Sequence, residues 1–178
     1  MTALAKQISE TLKTLRKERG WSLDKTALET GVSKAMLGQI ERGESSPTIA
    51  TLWKIASGFN ASFSQFIAES TQGTGKPKKV HPSDKNIRVS PIFPYDERLK
   101  CEIFVIELLP SCEHQSLPHK QGVIEHVIVT EGKLEVLVNG NWKPLKKGQG
   151  LRFDAHQEHG YRNLSPKRAT FINFIHYP

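Results

Sequence analysis

The sequence predicts two domains of different class, an all-α domain of five short helices followed by an all-β sandwich or barrel. Up to about residue 69 the apolar residues recur every three or four positions, which is the period of an amphipathic helix. From Pro91 onward they alternate with polar residues in short runs, which is the period of strands. Residues 70–90 are rich in Ser, Thr, Gly, Pro and Lys, as linkers are. We therefore predict domains at 1–69 and 91–178, joined by a basic flexible linker at 70–90.

The composition is that of a globular chain with an anionic partner. Apolar residues make up 37% and charged residues 24%, and no apolar run approaches the roughly 18 residues of a membrane span. The N-terminal segment lacks the apolar stretch of a signal peptide, so we expect a cytoplasmic protein. In that reducing compartment Cys101 and Cys112 are expected to be free thiols. The net charge is +7, with the basic excess mainly in residues 71–90.

The five helices are indicated by apolar stripes and by residues that begin and end helices. Ser22 is placed to cap the second helix, and Gly31, which tolerates a left-handed backbone, to end it. Ser33 is placed to cap the third helix, on which Leu37 and Ile40 would face a core. Other apolar residues would complete that core: Ile8, Leu12, Leu15, Leu52, Ile55, Ala56, Phe59, Phe63, Phe66 and Ile67.

The third helix has an outward face that packing does not require, formed by Lys34, Gly38 and Gln39. A helix, a glycine turn and a second helix with such a face are typical of helix-turn-helix domains that enter the major groove of DNA. Lys34 can reach guanine acceptors, and Gln39 can make two hydrogen bonds with adenine. Phosphate oxygens would be bound at helix starts and in the following loop by Ser33, Arg42, Ser45 and Thr48.

Residues Ile8 to Glu69, and above all GVSKAMLGQIERGESSPTIATLWKIA, resemble the lambda-repressor/Cro-type DNA-binding domain of the XRE family. The resemblance implies an ion pair between Arg16 of the first helix and Glu41 late in the third. Leu23 departs from the family, which often has a polar phosphate-binding residue at that position. The alternative is a protein-interaction module, because a fold does not determine a function. The exposed face of the third helix favours DNA.

Six segments of the C-terminal half have the pattern of strands, and glycine-containing turns separate them. Asn139-Gly140, between LEVLV and NWKPL, is typical of a two-residue hairpin turn. Many short strands at even spacing indicate an all-β sandwich or barrel. The predicted strands are 102–109, 125–130, 133–139, 150–153, 159–163 and 169–175.

These strands and turns resemble the cupin, a small jelly-roll barrel or double-stranded β-helix with two sequence motifs. His119, Glu125 and Gly132 match the first motif at the family's spacing, and Gln121 stands where the second histidine would be. In the second motif Gly148, His159 and Asn163 match, whereas Asp154 and His156 replace a proline and a glycine. The resemblance therefore implies the fold more firmly than it implies the family's metal site.

A cupin metal is normally held by three His and one Glu, so the resemblance places an effector pocket or metal site at His119, Gln121, Glu125 and His159. Two His and one carboxylate are sufficient to hold Fe(II), Mn(II) or Zn(II), so a divalent metal is one hypothesis. The alternative is that these groups hydrogen-bond one another or line a metal-free ligand pocket. The remaining strand histidines are expected to be exposed, partnered or packed: His114, His126 and His176.

A helix-turn-helix domain followed by a cupin resembles bacterial one-component regulators, and this chain closely resembles the sulfur-utilisation regulators of enteric bacteria. The leading hypothesis is a dimeric transcription factor, not an enzyme, which reads a palindromic operator in double-stranded DNA and whose cupin binds a small effector. The alternative is a cupin enzyme of dioxygenase or isomerase type with an accessory DNA-binding domain. A redox sensor using Cys101 and Cys112 is a third hypothesis, and it lacks an activating cation beyond Lys100.

Overall fold

The computed structural model describes residues 2–67 and 86–178, and the chain divides into two compact units, Met1–Thr71 and Gln72–Pro178. Most of the predicted linker lies outside the described residues. Within the described ranges, no helix is both long enough and apolar enough to cross a membrane. Each unit has its own hydrophobic core and is described by itself.

The described part of the N-terminal unit, residues 2–67, has five helices, as predicted, and four of them begin at a hydroxyl cap, the first at Thr2. The side chains of Ser22, Ser33 and Thr48 each accept a hydrogen bond from the backbone amide three residues ahead, which satisfies an orphan donor of the first turn. Gly31 ends the second helix at φ 64°, in the left-handed region that glycine adopts at little cost. The helices are α1 Ala3–Glu18, α2 Leu23–Thr30, α3 Lys34–Glu41, α4 Ile49–Phe59 and α5 Ser64–Ile67.

The core of this unit contains the predicted apolar residues, most of them with no more than 2% of their surface exposed, and Leu15 is only half-buried. The predicted Arg16–Glu41 ion pair is confirmed: Nε of Arg16 lies 2.6 Å from Oε1 of Glu41, and Nη2 lies 2.9 Å from Oε2. Arg16 also donates from Nη1 to the carbonyl oxygen of Trp21 at 2.9 Å. Its side chain therefore ties α1 to the end of α3 and to the loop before α2.

Residues 86–178 of the C-terminal unit form a jelly-roll of nine strands in two antiparallel sheets. The first sheet has the order β1-β2-β9-β4-β7, and the second has the order β3-β8-β5-β6. The strands are β1 Ile87–Asp96, β2 Cys101–Leu108, β3 Cys112–Ser116, β4 Ile124–Glu131, β5 Lys133–Val138, β6 Asn141–Lys146, β7 Gly150–Asp154, β8 His159–Asn163 and β9 Ala169–His176.

Side chains of alternate residues fill the space between the sheets. Along β9 every second residue is buried, beginning with Ala169 and including Phe171 and Ile175. The hairpin predicted at Asn139-Gly140 joins β5 to β6, and both turn residues have positive φ, 53° and 73°, as a type I′ turn requires. The fold class predicted from the sequence is confirmed.

Three edge strands are absent from the predicted strands: β6, which was indicated only as the second arm of the hairpin, and β1 and β3. Strand β1 begins at Ile87, so residues 87–90 belong to the barrel and not to the linker, and its prolines are tolerated because only one side of the strand is paired. Strand β3 was not predicted, because only Cys112 and His114 of its five residues are buried and the remainder is polar. Both patterns are too weakly apolar to indicate a strand without their partners.

Candidate functional sites

Helix α3 presents the two predicted base-contacting side chains to solvent. Lys34 and Gln39 are exposed, whereas Leu37 and Ile40 on the opposite face are 0% and 1% exposed. The hydroxyl of Ser33 accepts from the amide of Met36 at 3.3 Å, so it is used as a helix cap. The buried side chains of Leu37 and Ile40 therefore anchor the helix, and Lys34 and Gln39 lie on its solvent-exposed face.

Gly38 does not belong to this outward face, contrary to the prediction, because it is buried. A Cβ atom at this position would lie 3.1 Å from Nη1 of Arg42 and 3.8 Å from Cδ1 of Leu23. Leu23, which replaces the polar residue expected from the XRE resemblance, thus packs toward α3. The side chains of Arg42, at the end of α3, and of Leu23, in α2, cover Gly38, and the apolar pattern of α3 does not reveal this.

The predicted phosphate-contacting residues differ in their surroundings. Arg42 and Thr48 are exposed, whereas Ser45 is half-buried with its hydroxyl 3.7 Å from the sulfur of Met36. The hydroxyl of Thr48 accepts from the amide of Thr51 at 3.1 Å and so caps α4.

Both predicted cationic contacts are paired with exposed carboxylates. Nζ of Lys34 lies 2.8 Å from Oδ2 of Asp24, and Arg42 donates to both oxygens of Glu44 at 2.8 and 2.7 Å. The hydrogen bond with Glu44 raises the pKa of Arg42, and the same bond lowers the pKa of Glu44. Such solvent-exposed ion pairs contribute little to stability, so neither carboxylate holds its cation strongly.

In the second unit, three predicted residues meet inside the barrel. Glu125 on β4 is 1% exposed and His159 on β8 is 2% exposed, while His119 lies in the loop before β4. Nε2 of His119 is 3.1 Å, and Nε2 of His159 is 3.4 Å, from the same oxygen, Oε1 of Glu125. The three ligand atoms lie within 4.8 Å of one another. We call these residues the barrel cluster.

The tautomer of His159 is determined by its neighbour. Nδ1 lies 2.9 Å from the carbonyl oxygen of Gln157, which can only accept, so Nδ1 carries a proton. Nε2 is buried, and its distance of 3.4 Å from Oε1 of Glu125 is longer than that of an ordinary hydrogen bond. A backbone carbonyl holds the ring through Nδ1, and Nε2 faces the Glu125 carboxylate, which is the ring orientation that a metal-ligating histidine requires.

The Glu125 carboxylate interacts electrostatically with both histidines of the barrel cluster. Burial acts to raise the pKa of Glu125, but contacts with His119 and His159 outweigh burial and hold this pKa well below its ordinary value. Burial acts to lower the pKa of His159, whereas the Glu125 carboxylate raises it, and the balance raises it. The buried carboxylate is thus stable as an anion because the two histidines lie against it.

Two residues that complete the barrel cluster were missed by the sequence analysis. The hydroxyl of Tyr161 and Nδ2 of Asn173 both donate to Oε2 of Glu125, the amide at 3.0 Å, which leaves Oε1 to the histidines. Burial, followed by the Glu125 charge, raises the pKa of Tyr161 well above its ordinary value. The available signal was polar residues at buried positions of period two, in HGYRN and in FINFI.

Gln121 was predicted to join the barrel cluster. In the structure it is exposed in the turn before β4 and lies outside the buried cluster. The other histidines are as expected: His126 packs edge-on against Phe174 with 5.5 Å between ring centroids, and His114 is buried.

A second buried carboxylate, Glu102, accepts a hydrogen bond from the hydroxyl of Tyr177. Sequence analysis did not single it out, although it is a charged residue at a buried position of a strand.

The remaining predicted residues have structural roles. Asn163, from the second cupin motif, is fully buried, donates to the carbonyl oxygens of Leu108 and Lys167 at 3.1 and 2.8 Å, and accepts from the amide of Ser165 at 3.0 Å. Cys101 and Cys112 are buried free thiols, as expected. Burial raises the pKa of Cys101, which disfavours the redox-sensor hypothesis because a reactive cysteine needs a lowered pKa.

Comparison with known proteins matches each of the two units to a protein family. A helix-turn-helix family model matches residues 12–66, and a cupin domain family model matches residues 104–175. The HTH-type transcriptional regulator SutR of Escherichia coli (strain K12) is 49% identical over 178 residues, covering 100% of this chain and 99% of that protein.

Two solved structures are similar as well. An HTH_3 family transcriptional regulator from Vibrio cholerae has a TM-score of 0.89 at 50% identity, covering 98% of this chain and 97% of that one. The Cupin_2 domain of an XRE family transcriptional regulator from Enterobacter cloacae has a TM-score of 0.52 at 45% identity, covering 53% of this chain and 99% of that one. These relatives are regulators, which weighs against the hypothesis of a cupin enzyme.

Proposed function

The chain belongs to the XRE-type helix-turn-helix transcriptional regulators that carry a cupin domain, and we propose that it is a dimeric, effector-controlled member of that group. It binds DNA and is not an enzyme. The proposal adds which residues read the operator, that two chains act together, and that the barrel senses a small molecule. It also includes a cytoplasmic location, where the DNA partner is.

The observation that carries the DNA-reading assignment is the exposed pair Lys34 and Gln39 on an α3 whose other face is fully buried. Gln39 would make two hydrogen bonds to adenine, and Lys34 would donate to guanine, each discriminating by about 1–3 kcal/mol. Arg42, Ser45 and Thr48 would bind phosphates together with Ser33. Gly38 would contribute only by its small size, since it is buried.

A dimer would place two α3 helices about one turn of DNA apart, roughly 34 Å, and would therefore read a palindromic operator. Exposed apolar side chains on the outer face of the five-stranded sheet support an interface there, since Phe93 is 62% and Ile128 is 49% exposed. Sedimentation of the full chain across a concentration series measures the oligomeric state directly.

The barrel cluster would hold a divalent metal ion through His119, Glu125 and His159. Two donors that each lie about 2.1 Å from one ion are at most about 4.2 Å apart, so the cluster needs only a small contraction. The orientation of His159, with Nδ1 held by a backbone carbonyl and Nε2 facing Glu125, supports the fit. A bound ion would supply Lewis-acid coordination of an effector oxygen, while Tyr161 and Asn173 would keep Glu125 oriented.

The DNA-reading assignment is tested with Gln39→Ala and Arg42→Ala on operators identified by genome-wide mapping of bound sites. The first change should reduce the preference for operator over random DNA, whereas the second should weaken binding to both alike. Lys13→Ala, an exposed residue of α1, serves as the control. Equal loss on operator and random DNA for Gln39→Ala would refute the base-reading role.

The metal assignment is tested by elemental analysis of the purified full chain. We expect a stoichiometric divalent ion that His159→Ala removes and that His156→Ala, a change at an exposed histidine three residues away, retains. A stoichiometric ion that survives His159→Ala would refute the ligand set. A metal-free protein would leave a hydrogen-bonded pocket as the correct interpretation of the cluster.

A further inference from the structure

A cleft of about 210 Å³ lies beside the barrel cluster, because two of its lining residues, Phe153 and Gln157, contact His159. It lies where β6 and β7, the last strands of the two sheets, form unpaired edges. Its volume is below the roughly 300–1,000 Å³ of drug-sized ligand sites, which suits a small metabolite. The residues that line the cleft are Val138, Asn139, Lys143, Arg152, Phe153, Asp154, His156 and Gln157.

The charged groups of this cleft are predominantly cationic. Lys143 and Arg152 both line it and are exposed, and no described residue forms an ion pair with either. Asp154 is the acidic residue of the lining, so the cleft has a net positive charge. By contrast, Nη2 of Arg168, another exposed arginine of the barrel unit, lies 3.2 Å from Oε2 of Glu131. The two cations of the cleft thus remain available to an external anion.

Two lining residues also touch the barrel cluster. The ring of Phe153 lies 5.5 Å from the ring of His159, centroid to centroid, and the carbonyl oxygen of Gln157 accepts from Nδ1 of His159. Phe153 is moreover the register partner of Glu125 across β7 and β4. A ligand that displaces Phe153 or Gln157 would therefore change the position of a cluster histidine.

We propose that this cleft is a binding site for the oxoanion group, a carboxylate or a sulfate-like group, of a small metabolite. Arg152 presents a planar donor fork that matches an oxoanion, and Lys143 adds a second charge from the facing strand edge. Phe153 and Val138 supply an apolar wall for the rest of the molecule. Oxoanion binding by the cleft does not depend on the proposed function. The inference that the bound metabolite is the effector of the regulator rests on it.

The test is a titration of the full chain with sodium sulfate and, separately, with disodium succinate, at an ionic strength held constant with sodium chloride. Backbone amide chemical shifts report the site. We expect saturable shifts confined to the lining residues, with affinity reduced about tenfold by Lys143→Gln and by Arg152→Gln. Lys146→Gln is the matched control, because this exposed lysine lies on the same strand but outside the cleft.

Each outcome decides the matter. Saturation by sulfate identifies a general oxoanion site, and saturation by succinate alone identifies an organic-acid site; both support the proposal. Chemical shifts that change linearly with the concentration of both anions would overturn the proposal. Binding curves of Lys143→Gln and Arg152→Gln that match those of the unsubstituted chain would overturn it as well. Operator affinity measured on the same samples separates the two proposals: a protein that binds its operator but neither anion disproves only the cleft.

Discussion

Gly58 lies where α4 crosses α2, and replacing it with alanine should destabilise the helical unit. A Cβ atom at this position would meet the carbonyl oxygen of Glu29 and both Cα and Cγ2 of Thr30 at 2.7 Å. An ordinary contact needs at least 3.4 Å, and two of these atoms are backbone, so the helices must separate by about 0.7 Å. Overpacking of this kind costs about 1–3 kcal/mol, against which the gain in helix propensity is at most about 1 kcal/mol.

The matched control is Gly38→Ala in α3. Its Cβ atom would meet only the mobile end of the exposed Arg42 side chain at 3.1 Å and Leu23 at 3.8 Å, so the propensity gain should prevail. Thermal unfolding of the full chain, followed by circular dichroism at the helix band, measures both. A unit of this size shifts by roughly 4–8 °C per kcal/mol, so Gly58→Ala should melt lower and Gly38→Ala higher than the unsubstituted chain. Shifts of the same sign would refute the packing argument.

Two substitutions and one measurement of thiol reactivity test other parts of the structure. Glu41→Gln should lower the stability of the helical unit by about 1–3 kcal/mol in the same melting experiment, because it leaves the partly buried Arg16 charge unpaired; an unchanged melting temperature would contradict this. Asn163→Ala should destabilise the barrel by about 2–4 kcal/mol in denaturant titration, since it orphans buried carbonyl oxygens at two loops; a loss below about 0.5 kcal/mol would show that water replaces the amide. Cys101 should react with a disulfide reagent much more slowly in the folded chain than in the unfolded chain at mildly alkaline pH, because burial raises its pKa and reduces its thiolate fraction; equal rates would refute this.

The helical unit was predictable from local signals. Ser22, Ser33 and Thr48 cap the helices that they precede, and Gly31 ends α2, because capping depends only on backbone groups within a few residues. The Arg16–Glu41 pair, separated by 25 residues, was available only through a family resemblance. The burial of Gly38 was available from neither source.

The barrel was predictable where strands bury every second residue and are joined by glycine turns. Strands β1 and β3 were missed because an edge strand has one neighbour and needs fewer apolar residues to be stable. His119, Glu125 and His159 were correctly brought together by motif spacing, whereas Gln121 was not in the cluster. Tyr161 and Asn173 were missed, because a polar residue at a buried position becomes informative only when its hydrogen-bond partner is known.

The sequence by itself determined the two fold classes, the caps of the second and third helices, and the outward position of Lys34 and Gln39. These follow from the period of apolar residues and from capping residues, which are properties of neighbouring positions along the chain, whereas the residues of the barrel cluster came from the resemblance to the cupin family. Only the tertiary structure decided which oxygen of Glu125 the histidines share, how closely Gly58 lets two helices approach, and that Lys143 and Arg152 line one cleft. The physical reason is that contacts between distant segments depend on packing distances of a few tenths of an ångström, which no local pattern specifies.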